Sequence, residues 1–103
     1  MTEAELQEAI RAMCGQLGLY VYHPHDSRRS EKGWPDLAII GRGGAIFREL
    51  KSDTGSLTSE QRQVGYLMRA AGLDWAVWDP THLADGTVAR RLATLAGRRI
   101  ARV

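Results

Sequence analysis

The feature that most constrains this chain is a pair of apolar runs, residues 37–40 and 45–51, separated by Gly41-Arg42-Gly43-Gly44. Two such runs around a glycine-rich turn predict a β-hairpin. The hairpin carries unusual residues at its open end. Pro35-Asp36 stands at the mouth of the first strand, and Glu49-Leu50-Lys51 closes the second. Pro35 fixes φ and has no N–H to donate, which suits a strand's first position. Residues two apart in a strand share a face, so Glu49 and Lys51 point together and Leu50 points away. With the first strand alongside, Asp36 reaches that face too. Two carboxylates and an ammonium then converge on one spot, a site for a hard divalent cation and an activated water.

The rest of the chain frames this hairpin. Residues 2–17 predict a helix with Thr2 as N-cap, Glu5 completing a capping box, and Leu6, Ile10, Met13 and Leu17 on one apolar face. Gly18 ends it. Residues 19–22 predict a short strand and 23–35 a polar loop over the site. After a polar loop over 52–57, Thr58 and Gln61 make a second capping box for a helix over 59–71, with Val64, Leu67 and Met68 on its apolar face. Ala70-Ala71-Gly72 closes that helix, residues 74–78 form a strand, and Asp79-Pro80 reads as a turn. A last helix follows Asp85-Gly86, with Val88, Leu92 and Leu95 on one side. The order α-β-β-β-α-β plus a C-terminal helix predicts an α/β fold, a mixed sheet flanked by helices. At 103 residues the chain is read as one small domain over 1–103 with a thin core.

Composition excludes several classes. Cys14 is the single cysteine, so no internal disulfide argues for an oxidising compartment, and its helical position predicts core packing. The N-terminus begins with acids rather than a basic and then apolar stretch, and no apolar run is long enough to span a bilayer. An intracellular, cytoplasmic protein without a membrane partner is the expectation. Net charge is only +2, but Arg28, Arg29 and Lys32 cluster before Pro35-Asp36, and Arg90, Arg91, Arg98, Arg99 and Arg102 crowd the C-terminus. Such a basic periphery suits a polyanion handled through metal, or is ordinary solvated arginine.

Individual residues suggest roles in such a site. Asp36 and Glu49 are candidate carboxylate ligands, the Leu50 carbonyl a third protein oxygen, and Lys51 a group that orients water or stabilises phosphate charge. His23, His25 and Asp26 invite a zinc reading, but the chain offers no cysteine pair and no second histidine pair to complete one. A phosphate contact or a proton for a leaving oxygen suits His23 and His25 better. Ser27, Arg28, Arg29 and Lys32 suit backbone phosphates. Trp34 in the entry loop is a candidate substrate contact, whereas Trp75 and Trp78 should face opposite sides of their strand, with at least one in the core or a dimer interface. Gly41, Gly43 and Gly44 precede a strand rather than a helix and so lack phosphate-cradle geometry.

Gly33-Trp34-Pro35-Asp36-Leu37, Arg48-Glu49-Leu50-Lys51 and Gly55-Ser56-Leu57-Thr58-Ser59-Glu60-Gln61, in this order and spacing, resemble the VRR-NUC family of the PD-(D/E)XK nuclease superfamily, in particular its small stand-alone phage and bacterial members. The similarity spans about residues 3–80. It implies a restriction-endonuclease-like core and a Mg²⁺- or Mn²⁺-dependent endodeoxyribonuclease, similar to Holliday-junction resolvases, acting as a homodimer on branched DNA. For a phage-encoded member the compartment is the host cytoplasm. By the same resemblance Asp36, Glu49 and the Leu50 carbonyl hold the metal, Lys51 is the catalytic lysine, and Gln61 is the helical glutamine that supports the site. The family's first-helix glutamate falls near Gln7, with Glu3 one turn earlier, so either Glu3 supplies a carboxylate or Gln7 bonds a metal water. Two other classes stand beside this one: an inactive, nuclease-like nucleic-acid-binding module, and a small interaction domain with surface charge alone.

Overall fold

In the computed structural model, residues 1–24 and 31–97 are described. His25, Asp26, Ser27, Arg28 and Arg29, and the terminal Arg98, Arg99 and Arg102, lie outside the described residues. The elements are α1 (Glu3–Leu17), β1 (Tyr20–Tyr22), β2 (Leu37–Gly41), β3 (Gly44–Leu50), α2 (Ser59–Ala70), β4 (Asp74–Trp78), α3 (Pro80–Ala84) and α4 (Thr87–Leu95).

The hairpin forms around Arg42-Gly43, with both flanking glycines drawn into the strands. Its turn lies against the end of α4: the Gly43 N–H donates to the Leu95 carbonyl at 2.8 Å. A Cβ at Gly41 would strike Leu19 and the Leu95 backbone, so this turn needs glycine for close approach as well as for bending. β1 pairs antiparallel with β2, β2 antiparallel with β3, and β3 parallel with β4, in the sheet order β1-β2-β3-β4. The parallel pair is joined through α2, as a same-direction return requires.

Helices cover both faces. Leu6, Ile10 and Cys14 of α1 and Val88, Leu92 and Leu95 of α4 pack with Leu37, Ile39, Ile46, Leu50 and Trp78 into the main core. α2 packs against β4 on the other face, where Gly65 lies so close to the Trp75 ring that a Cβ there would overlap it. Trp75 and Trp78 therefore face opposite ways, and both are buried within the chain. Both tryptophans are core residues, and β4 is a sheet edge among the described residues.

Both predicted capping boxes are present. Thr2 and Glu5 exchange bonds at the start of α1, Thr58 and Gln61 at the start of α2, and Gly18 closes α1 with φ 72. Three readings change. Asp79-Pro80 opens a helix rather than a turn: Asp79 accepts from the Thr81 and His82 N–H groups, and Pro80 takes the first helical position, where a missing N–H costs nothing. Leu67 is 56% exposed, because α2 turns Gly65 and Met68 inward instead. Arg91 donates to Asp74 at 2.7 Å, which takes it out of the group of free basic residues at the C-terminus.

Candidate active site

The β2–β3 ladder ends with Leu37 opposite Arg48, and one residue further out on each side the Asp36 and Glu49 carboxyl groups come within hydrogen-bonding reach of each other. Directly opposed residues in an antiparallel pair share a face. Asp36, Glu49 and Lys51 thus lie on one side of the sheet, while Leu37, Arg48 and Leu50 lie on the other. The Asp36 Oδ2 atom accepts the Leu50 N–H at 2.8 Å, which ties the first carboxylate to the second strand. N–H and C=O of one strand residue point to the same side, so the Leu50 carbonyl faces the Asp36 side of β3 as its N–H does.

Glu49 is only 2% exposed, an unusual place for a carboxylate. Its Oε2 accepts from the Gln61 side-chain amide at 2.8 Å and lies 3.7 Å from the Lys51 ammonium. Its Oε1 is buried and accepts no hydrogen bond among the described residues. The Glu49 carboxyl is pushed up to about 8, first by burial and then by the charge and hydrogen bonding of Asp36, with the charge of Glu3 adding a little and Lys51 opposing the rise. Lys51 follows the last residue of β3 and is still held to β4, its N–H donating to the Trp78 carbonyl at 3.0 Å.

Gln61 reaches Glu49 because the α2 capping box holds it. Its Oε1 accepts the Thr58 N–H at 2.9 Å while its amide nitrogen serves Glu49. On the other flank, His23 at the end of β1 bonds through Nδ1 to the Asp36 carbonyl at 2.9 Å. A carbonyl only accepts, so Nδ1 carries the proton and Nε2 is left with the lone pair in the neutral ring. The sequence points to His23 for a phosphate or proton role but carries no signal for this tie between the end of β1 and Asp36. Gly33, at φ 87 and packed on the Glu60 backbone, pins the entry loop to the start of α2. Trp34 and Lys32 beside it are exposed and line a cavity shared with His23, Asp36 and Gln61.

The first helix does not complete a carboxylate cluster. Glu3 is exposed, Gln7 is half-buried with no hydrogen bond to the site among the described residues, and no three His, Cys, Asp or Glu side chains there gather tightly enough to hold an ion. The donor set that the described residues present is Asp36, Glu49 and the Leu50 carbonyl. All three are oxygens, the choice of a hard divalent cation, and the unpartnered Glu49 Oε1 is a buried acceptor that such a cation would satisfy. The residues fit the group.

No family model matches the sequence, and no curated protein matches it. Among solved structures, a chain described as "VRR_NUC domain" superposes with a TM-score of 0.66 over 82% of this chain and 92% of that one, at 23% identity. That likeness is one of fold, and it agrees with the resemblance in the sequence motifs: the chain has the fold of a VRR_NUC domain.

Proposed function

We propose that this chain is a divalent-metal-dependent DNA endonuclease that hydrolyses phosphodiester bonds. The observation that carries the reading is the buried Glu49 carboxylate beside Asp36, with one oxygen held by Gln61 and the other unpartnered among the described residues. Burying a second carboxylate beside a first is costly without a cation to offset it. A Mg²⁺ or Mn²⁺ ion held by Asp36, Glu49 and the Leu50 carbonyl would supply Lewis-acid stabilisation of phosphate charge and acidify water. The chain's own residues do the rest. Asp36 is fixed by the Leu50 N–H and by His23 at its backbone. Gln61 fixes the orientation of Glu49. Lys51, 3.7 Å from Glu49 and partly open to solvent, orients the attacking water or meets the charge that grows on the phosphate. Branched DNA, in the manner of a Holliday-junction resolvase, is the proposed substrate, and a homodimer the proposed form, since resolving a junction takes two cuts.

The test is incubation of the purified chain with four-way junctions, flaps, forks and linear duplex in Mg²⁺, Mn²⁺ or EDTA. Metal-dependent strand scission that is lost in Asp36→Ala and Lys51→Ala supports the reading. Scission undiminished in both variants removes this site from the chemistry. Junction binding without cutting in any divalent ion favours the inactive binding module, a reading consistent with no third carboxylate closing on Asp36 and Glu49 among the described residues.

A further inference from the structure

Beside the carboxylates lies a cavity of about 170 Å³ lined by His23, Lys32, Trp34, Asp36 and Gln61. We propose that it receives one unpaired nucleobase next to the scissile phosphate, so that the site selects DNA in which a base has already left the stack. The proposal rests on the nuclease reading above and names what that site would recognise.

Three observations carry it. The first is size. Small-molecule pockets run to about 300–1,000 Å³, and this one is well below that, room for a single planar ring system. The second is a preset aromatic wall. Trp34 is 42% exposed, yet its indole is held edge to face against Phe47, with centroids 6.1 Å apart and planes at 78°. Gly33 anchors the backbone beside it through a left-handed φ and contact with the Glu60 backbone, so an added Cβ would push the loop away. An exposed indole held in place this way offers a stacking surface at low entropic cost. The third is the polar rim. His23 Nε2 presents an acceptor once Nδ1 is committed to the Asp36 carbonyl, Lys32 presents donors, and the Gln61 amide has a second N–H beyond the one given to Glu49. Base edges carry such donors and acceptors, whereas a sugar–phosphate chain has no flat face to stack.

The duplex itself explains the selectivity. A paired base is turned inward, and drawing it out costs a few kcal/mol, least for a base that is mismatched, bulged or single-stranded. A pocket that shares Asp36 with the hydrolytic centre would therefore favour junctions, flaps and bulges without reading any sequence.

The experiment uses the whole chain and two DNAs of one sequence, with 2-aminopurine either paired or as a single unpaired nucleotide, titrated in Ca²⁺. Wild-type binding should change 2-aminopurine fluorescence in the unpaired DNA alone. Trp34→Ala should abolish that change and lower the preference for unpaired over paired DNA roughly tenfold, with Trp34→Phe recovering part of it. Circular dichroism of both variants guards against a folding defect. An unchanged signal, or equal weakening toward both DNAs, overturns the base pocket. Wild-type cleavage in Mg²⁺ that shows no bias toward unpaired sites overturns it while leaving the nuclease reading standing. Absence of cleavage on every DNA removes the nuclease reading itself.

Discussion

At the scale of single residues, Glu49 decides the behaviour of the site. Its carboxyl is pushed up to about 8, first by burial and then by Asp36, so at neutral pH and without metal the folded chain retains a proton that the unfolded chain releases at about 4.5. Between those values the native state binds more protons, and stability must fall as pH rises. The contribution is fully present below about pH 4.5 and gone above about pH 8. Urea midpoints in EDTA should therefore decline from pH 5 to pH 8 in the wild type, and the decline should flatten in Glu49→Gln, which keeps the volume and lacks the titration. A slope unchanged by that substitution would assign the pH dependence to other groups. Mg²⁺ should reverse the trend, because the ionised form it binds gains population with pH. Lys51 gives the complementary prediction. Lys51→Ala should lower kcat by about 10²–10³-fold, the usual cost of removing one preorganised charge or donor, with a smaller effect on KM. A change in KM alone would make Lys51 a binding group.

At the scale of elements, the start of α2 does two jobs with one residue. Gln61 closes the capping box on Thr58 and holds Glu49 in the same conformation. Thr58→Ala should lower stability by about 1 kcal/mol through the lost cap and also reduce cleavage, since the Gln61 side chain loses its anchor. Gln61→Glu separates the two jobs: glutamate is a good third helical residue, so the cap survives, but a third carboxylate added to Asp36 and buried Glu49 should suppress activity at neutral pH. Thermal melts alongside cleavage rates distinguish the pair, and equal losses of both quantities in both variants would contradict a separable role. Local signals made this part of the fold legible. Thr58 three residues before Gln61, Thr2 three before Glu5, and glycines around the hairpin turn all act within a few residues of the structure they cause. Asp79-Pro80 shows where such signals run out. The same dipeptide begins a turn or a helix, and the contact that settles it, the His82 ring accepting the Asp79 N–H at 3.0 Å, follows only once the helix forms. Leu67 fits the helical period as well as Met68 does, but the packing of Gly65 on Trp75, across the sheet face, fixes which side turns inward.

At the scale of the molecule, the hairpin carboxylates were readable because strand alternation and register are local, while the network on the opposite face depends on partners far apart in sequence. Arg48 is 4% exposed, stacks over the Trp78 ring at 4.7 Å, and pairs with Asp74 at 3.0 Å. Asp74 also holds Arg91 at 2.7 Å, so one carboxylate joins β3, β4 and α4. Desolvation pulls the Arg48 guanidinium below its ordinary range, with Asp74 opposing. Desolvation would raise Asp74, but Arg91 and Arg48 together hold it below the usual carboxylate range. Removing one partner of a buried pair costs about 3–5 kcal/mol, and the 41% exposure of the Asp74 side chain places Asp74→Ala toward the lower end. Against a total of about 5–15 kcal/mol for a domain of this kind, that loss is large. Arg91→Ala breaks only a half-exposed pair and should cost about 0–1 kcal/mol. Arg48→Met, which fills similar volume without a charge to strand, should recover most of the loss when combined with Asp74→Ala. Urea denaturation of the four proteins tests this ordering. Similar losses for Asp74→Ala and Arg91→Ala, or no recovery in the double variant, would show that the guanidinium of Arg48 is not stranded by the loss of Asp74. Cleavage by the folded fraction should persist in each variant, because the network lies across the sheet from Asp36 and Glu49.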